Sequence, residues 1–180
     1  GSFRGRIPFG GAREGPALSR ALDERVTLVT IPFSGGNAYS YRELVSFLPP
    51  HVEALPLELP GHGRRLGEDL LRDADAMADD LFEQLAGRWP ARLAIFGHSL
   101  GALLAYLLVR RVIDSGVAHP EHLFASGHAG PGVRRERPPR HELPREDFLA
   151  MLRAMGGSAA EVLANDELME IFEPVLRADF

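Results

Sequence analysis

The sequence contains no cysteine, which excludes a disulfide framework, a thiolate nucleophile and a cysteine-ligated metal site. It also contains no lysine, because all 20 of its basic residues are arginine. A phosphate-binding loop with its lysine, a Schiff-base lysine and a serine–lysine dyad are therefore excluded within these 180 residues. The glycine-rich residues 34–36 accordingly do not predict a phosphate site.

Long apolar runs are also missing, and no stretch approaches the length of a membrane span or forms a signal-peptide pattern. The net charge is −5, and no basic helix or basic patch interleaved with aromatic residues indicates a nucleic-acid partner. Since 45% of the residues are hydrophobic, the chain can bury the core of a single domain. We expect a cytoplasmic protein that binds neither nucleic acid nor membranes.

Short apolar stretches alternate with segments of helical periodicity. Residues 26–31 are apolar and β-branched, which favours a strand, and similar runs follow at 52–58, 92–96 and 122–126. Helical spacing of apolar residues lies between them, at 41–48, from about 73 to 87 and at 102–109. This alternation predicts an α/β fold with a parallel sheet and helices on both of its faces.

Residues 97–101 read GHSLG and match the pattern G-x-S-x-G. A predicted strand precedes them and a strongly apolar predicted helix follows, which is the context of a nucleophile elbow. The pattern predicts that Ser99 is a nucleophile, because a serine at this strand-to-helix turn is exposed at the helix N-terminus. One oxyanion-hole donor is then the backbone N–H of Leu100, and the second comes from a loop after an early strand, here residues 32–36.

The last 54 residues, 127–180, contain no strand candidate, and from residue 144 only helical patterns occur. We expect three parts: a loosely attached lead-in at 1–25, the N-terminal part of an α/β core at 26–143, and a helical segment at 144–180. The apolar residues Phe148, Leu152 and Phe172 of that segment either pack in its interior or line a ligand chamber.

Four segments carry a resemblance to the type II thioesterases of nonribosomal peptide and polyketide assembly lines, which have the α/β-hydrolase fold. They are residues 31–36 (IPFSGG), 59–65 (LPGHGRR), 97–101 (GHSLG) and 176–180 (LRADF). Residues 123–127 (LFASG) are also similar to the family. The first and last segments narrow the resemblance from α/β hydrolases in general to this family.

The resemblance implies hydrolysis of acyl thioesters on the phosphopantetheine arm of carrier proteins, which clears misloaded units. It implies that Ser99 is the nucleophile, that the N–H groups of Leu100 and Ser34 form the oxyanion hole, and that residues 144–180 form a lid. Ser34 replaces the alanine usual in the family, and His62 stands where another polar residue is expected. The family requires no metal or cofactor, and we expect a monomer.

The sequence offers no good general base for Ser99. α/β hydrolases place the acid and then the histidine after the serine, whereas the seven histidines here are badly placed or lack a carboxylate between them and Ser99. They are His51, His62, His98, His119, His122, His128 and His141. The resemblance places Asp179 in a connection between lid and core. We therefore expect the acid, the base and the strands that carry them beyond residue 180, and little hydrolysis by these 180 residues alone.

The basic run at 134–145 has two interpretations, a solvated loop or a docking site for an acidic carrier protein, with Arg134 and Arg135 as the candidate contacts. Two other functions also stay open. One is a carboxylesterase or other α/β hydrolase of small esters, and the other is a catalytically incomplete module that binds acylated carrier proteins.

Overall fold

The computed structural model describes residues 25–130, 133, 139–156 and 160–180. Its strands are β1 (Val26–Ile31), β2 (Val52–Pro56), β3 (Leu93–His98) and β4 (Pro120–Ser126). Its α-helices are α1 (Arg42–Ser46), α2 (Ala74–Leu85), α3 (Leu100–Ser115), α4 (Arg145–Met155), α5 (Ala160–Leu163) and α6 (Asp166–Ala178). Short 3₁₀ turns occupy Gly63–Arg65 and Arg140–Glu142.

The four strands form one parallel sheet in the order β2-β1-β3-β4. The chain moves to one side of β1 to make β2 and then crosses back to make β3 and β4 on the other side. Loops that leave the carboxyl ends of β1 and β3 therefore diverge, and this divergence opens a crevice at that edge of the sheet. The crevice lies between residues 32–37 and the turn at Ser99.

Successive side chains of each strand point to opposite faces of the sheet, so the two faces pack against different residues. Val29 and Ile31 of β1 point to the same side as Leu93 and Ile95 of β3, and helices α2 and α3 pack there. On the opposite face, the ring of Tyr41, just before α1, contacts Phe96 edge-on at 4.9 Å between centroids. The α/β class predicted from the sequence is confirmed.

Helix α2 shows how the local sequence sets element boundaries. The side chain of Asp73 accepts a hydrogen bond of 2.9 Å from the Ala76 amide, which satisfies a free donor of the first turn. Met77, Leu81 and Leu85 recur at helical spacing and are buried. Beyond the end of the helix Gly87 adopts a φ of +73°, a conformation that glycine reaches without strain.

Some observed boundaries differ from the predicted ones. The predicted helix 41–48 is shortened to Arg42–Ser46, because Phe47 and Leu48 donate to carbonyls only three residues back and so tighten the last turn. The predicted strand 52–58 ends at Pro56, whereas the elbow strand extends to His98. The lead-in predicted for residues 1–25 lies, except for Arg25, outside the described residues.

Helices α4 to α6 contribute to a second apolar cluster apart from the sheet core. Phe148, Leu152, Leu163, Met169 and Leu176 are its buried members, and Phe180 packs against them. Of the helix residues considered as chamber lining, Phe148 is fully buried, whereas Phe172 is 40% exposed. We call the described residues 144–156 and 160–180 the lid layer, after the role that the resemblance implies. None of the described helices is long and apolar enough to span a bilayer.

Candidate active site

Ser99 occupies the turn between β3 and α3 in a strained conformation. Its φ of +53° and ψ of −119° make it the one non-glycine residue with positive φ in the described part of the chain. L-residues avoid this region because the Cβ atom clashes with the backbone, and such strain is concentrated at functional sites. Its amide donates to the Ser126 carbonyl at 2.8 Å, which ties the turn to the end of β4.

The glycines of the elbow are required by close backbone contacts. A Cβ atom on Gly97 would collide with the backbone of Gly101, and one on Gly101 would collide with the carbonyls of Ile31 and Pro32. The close approach of Gly97 to Gly101 lets the turn fold tightly against the start of its own helix. The second contact brings the start of α3 against the end of β1, so that the elbow and residues 32–37 become neighbours.

Residues 32–37, which we call the oxyanion loop after the role that the resemblance implies, carry Ser34, which lines a cavity together with Ser99. Gly36 donates to the Phe33 carbonyl at 2.8 Å, and the Gly35 amide donates to Asp179 Oδ2 at 2.6 Å. The structure records no hydrogen bond from the Ser34 or Leu100 amide to another described residue. Both residues line one cavity together with Ser99.

Tyr41 connects the oxyanion loop to the elbow. Its hydroxyl donates to the Ile31 carbonyl at 3.0 Å and accepts from the His98 amide at 3.2 Å. Burial raises the pKa of this phenol to about 12, and the hydrogen bond from His98 offsets only part of that effect. The residue therefore stays a neutral bridge between the ends of β1 and β3. Sequence analysis placed it on a helix and missed this role.

Two cavities meet at Ser99. The larger, of about 690 Å³, is lined by Ser34, Ser99 and Leu100 and extends past His128 to Arg140 in the 3₁₀ turn before α4. The smaller, of about 280 Å³, is mostly apolar. Its apolar lining comes from the oxyanion loop and the lid layer: Phe33, Leu152, Met155, Leu176 and Phe180. The serine thus lies between a mixed-polarity opening and an apolar chamber.

The histidines near Ser99 have other partners. His98 Nδ1 lies 3.1 Å from Ser126 Oγ, and its ring meets Phe33 edge-on. His128 lines the larger cavity, where its Nδ1 lies 2.8 Å from the Ala129 carbonyl. Within the part of the chain that the structure describes, no hydrogen bond joins Ser99 Oγ to a histidine or carboxylate. The described residues therefore place no candidate general base on Ser99 Oγ.

His62 and Asp179 form a buried pair behind the oxyanion loop. His62 Nε2 lies 3.2 Å from Asp179 Oδ2, and both side chains are almost inaccessible to solvent. Asp179 follows the last residue of α6, so it links the lid layer to residues 32–37, in keeping with the connection that the resemblance implied. The partnership of His62 was missed, although its position between two glycines in residues 61–63 was a signal of a special site.

The candidate carrier contacts Arg134 and Arg135 lie outside the described residues. Of the other arginines in the basic run, Arg145 forms ion pairs with Asp166 and Glu173. Arg140 lines the larger cavity and lies over the Phe180 ring at 5.4 Å. The docking interpretation thus stays a prediction.

Comparison with known proteins places the chain in one family. The thioesterase domain family model matches residues 26–180. The chain is 35% identical over 161 residues to linear gramicidin dehydrogenase LgrE of Brevibacillus parabrevis, with 88% of this chain and 61% of that protein covered. It is 34% identical over 161 residues to thioesterase PikA5 of Streptomyces venezuelae, covering 89% and 57%.

Among solved structures, the chain resembles the type II thioesterase BorB from the borrelidin biosynthetic cluster. The TM-score is 0.75 at 34% identity, and the match covers 86% of this chain and 63% of BorB. The chain thus spans about three fifths of the length of each of these three relatives. The predicted resemblance is confirmed: the chain belongs to the thioesterase domain family.

Proposed function

We propose that this chain carries the nucleophile and oxyanion hole of a serine thioesterase that releases acyl groups from phosphopantetheinyl carrier proteins. The observation that supports this most is the pairing of the strained Ser99 with the amides of Ser34 and Leu100 around one cavity. Type II thioesterases among its structural relatives, such as BorB, agree with a thioester substrate, and a cytoplasmic location follows from such a partner.

In this mechanism Ser99 Oγ attacks the thioester carbonyl, and the carbonyl π electrons move to oxygen. The amides of Leu100 and Ser34 donate to that developing oxyanion. Collapse breaks the carbon–sulfur bond, the thiol leaves with a proton, and acyl-Ser99 remains. Water then attacks the ester, releasing the carboxylic acid and restoring the serine hydroxyl. The base that moves these protons is assigned to none of the described residues.

The two cavities fit the two ends of this substrate. The apolar chamber of about 280 Å³ would hold an acyl chain beside Phe33, Leu152 and Met155. The larger opening would admit the pantetheine arm. Residues 144–180 then act as the lid over the acyl group. The division at about residue 143 therefore separates the part that carries Ser99 from the part that covers the substrate.

The proposal is tested by locating the acyl adduct. Without a base, the oxyanion hole and binding still accelerate acyl transfer by about 10³-fold over water. An acyl-carrier thioester should therefore acylate Ser99 far faster than other exposed serines, as mapped by peptide mass spectrometry. Ser99→Ala should abolish the adduct, while Ser115→Ala at the far end of α3 should leave it unchanged. An adduct spread evenly over many serines would overturn the assignment.

A carrier thioesterase is distinguished from a small-ester hydrolase by comparing an acyl-carrier thioester with a p-nitrophenyl ester of the same acyl group. Faster acylation by the carrier-bound group supports the proposal, and a preference for the free ester indicates a small-ester hydrolase. Tight carrier binding without acylation of Ser99 indicates a binding module. Charge reversal at Arg134 and Arg135 should weaken only the reaction with the carrier, because these residues are proposed to contact its acidic surface.

The dehydrogenase activity named for LgrE is not supported by the residues of this chain. Dinucleotide-binding folds use G-x-G-x-x-G after their first strand, whereas the loop after β1 reads SGGNAY at residues 34–39. The glycines here shape a turn beside Ser99. The site therefore favours acyl transfer.

A further inference from the structure

A buried histidine–carboxylate pair lies directly behind the oxyanion loop and takes no part in the mechanism above. His62 and Asp179 lie 117 residues apart in the sequence. Their side chains are 4% and 0% exposed. Asp179 Oδ2 contacts His62 Nε2 and also accepts the hydrogen bond of the Gly35 amide. One oxygen atom therefore joins His62 to the residue that follows Ser34.

Both ring nitrogens of His62 face oxygen atoms. Nδ1 lies 2.9 Å from the Pro60 carbonyl, and Nε2 lies 3.2 Å from Asp179 Oδ2. A carbonyl can only accept a hydrogen bond, and a neutral imidazole has one N–H. With an ionised Asp179 the two contacts therefore need an imidazolium, and with a neutral ring they need the proton on Asp179. In either form the pair holds one proton that a separated neutral histidine and carboxylate would not.

The charges around the pair favour this proton. Burial alone lowers the pKa of His62, but the hydrogen bond and charge of Asp179, followed by the Pro60 carbonyl and the charge of Glu58, outweigh it and raise that pKa. Glu58 is buried and itself contacts the Arg64 side chain and the Ala38 and Arg64 amides. Within the described part of the chain, Asp179 and Glu58 are the charged groups that raise the pKa of His62, and Arg64 faces Glu58.

We propose that the proton held by His62 and Asp179 positions the oxyanion loop, so that His62 is a positioning residue for the Ser34 amide. This rests on the proposed function, because it assigns a cause to the geometry of one oxyanion donor. When the proton is lost, a nitrogen lone pair faces an oxygen, and an unneutralised carboxylate remains beside a site that must stabilise an anion. The Gly35 amide and the adjoining Ser34 amide then lose their fixed direction.

The sign of the pH effect follows from the raised pKa. The protonated pair makes its full contribution below the ordinary histidine value of 6.5. That contribution is lost as the pH rises through the higher pKa of the folded state. The loop is therefore expected to be ordered for catalysis at low pH and to loosen at high pH.

Nuclear magnetic resonance of the 180-residue chain tests the protonation directly. We expect the ¹⁵N shifts of a doubly protonated His62 ring at pH 6. The amide shifts of Gly35 and Ser34 should move with the same midpoint as this proton between pH 5 and 9. His51→Leu, which replaces an exposed histidine, should leave those titrations unchanged. Gly35 and Ser34 amides that ignore the titration of the pair would overturn the proposal.

Acylation of Ser99 provides the functional readout. Wild type should exceed His62→Leu by about tenfold at pH 6, a fraction of the loss expected when an oxyanion donor is removed outright. The ratio should fall toward one as the pH rises through the raised pKa of His62, since the wild-type pair then loses its proton. A ratio that is constant with pH indicates a structural role only and contradicts the proposal. Absence of acylation at Ser99 at every pH would contradict the proposed function, while the amide titrations would still decide the positioning role.

Discussion

At the scale of single residues, the site depends on conformations that few residue types can adopt. Ser99 has a φ of +53°, and the Cβ atoms missing from Gly97 and Gly101 leave room for backbone carbonyls. The motif at 97–101 is therefore a steric requirement as well as a chemical one. Ser99 keeps its strain because the Ser126 carbonyl and helix α3 hold the turn.

We expect Ser99→Gly to be more stable than Ser99→Ala by about 1 kcal/mol. Glycine removes the clash of Cβ at positive φ, and its greater freedom in the unfolded chain cancels only part of that gain. Urea unfolding of the two variants measures the difference. Ala91→Gly, at an exposed position before β3, is the control and should not stabilise the protein. Equal stability of the two Ser99 variants would mean that the turn is not strained.

At the scale of secondary-structure elements, the ends of β1 and β3 act together because side chains bridge them. The hydroxyl of Tyr41 connects Ile31 to His98, and its ring fills the space between Phe33 and Phe96. Two loops that diverge from neighbouring strands are thereby held in register. The oxyanion loop and the elbow are parts of one unit for this reason.

Tyr41→Phe should destabilise the protein by about 1–3 kcal/mol, because the Ile31 carbonyl and the His98 amide lose a hydrogen-bond partner while the ring packing is kept. It should also slow acylation of Ser99, since the elbow and oxyanion loop lose their bridge. Chemical unfolding and the adduct assay measure both effects. Tyr39→Phe, in a residue that is 66% exposed, is the matched control and should change neither quantity.

At the scale of the whole molecule, the described residues form two separate apolar clusters. The sheet core is formed by β1 to β3 with α2 and α3, and the lid layer has its own cluster around Phe148. Phe148 is fully buried, meets Phe180 edge-on and lies under the Arg177 guanidinium at 4.3 Å. The Asp179–Gly35 hydrogen bond is a polar connection between the two units.

Phe148→Ala should cost about 3–5 kcal/mol in the lid layer, because it opens a cavity in a small cluster. Hydrogen exchange should then speed up at amides of α4 and α6, while amides of β3 and α3 keep their protection. Phe172→Ala removes a ring that is 40% exposed and should alter exchange much less. If β3 and α3 lose protection together with α4 and α6, the two clusters unfold as one unit.

The sequence by itself determined the α/β class, the strand-turn-helix around Ser99 and the membership of a thioesterase family. These features depend on local periodicity and on turns whose steric demands show in residue type. Only the tertiary structure decided which distant residues meet at the site. Tyr41, His62 and Asp179 acquire their partners across the sheet or between lid layer and core, and no spacing along the chain encodes such contacts. Protonation of His62 depends on burial and on two facing oxygens, which exist only once the chain has folded.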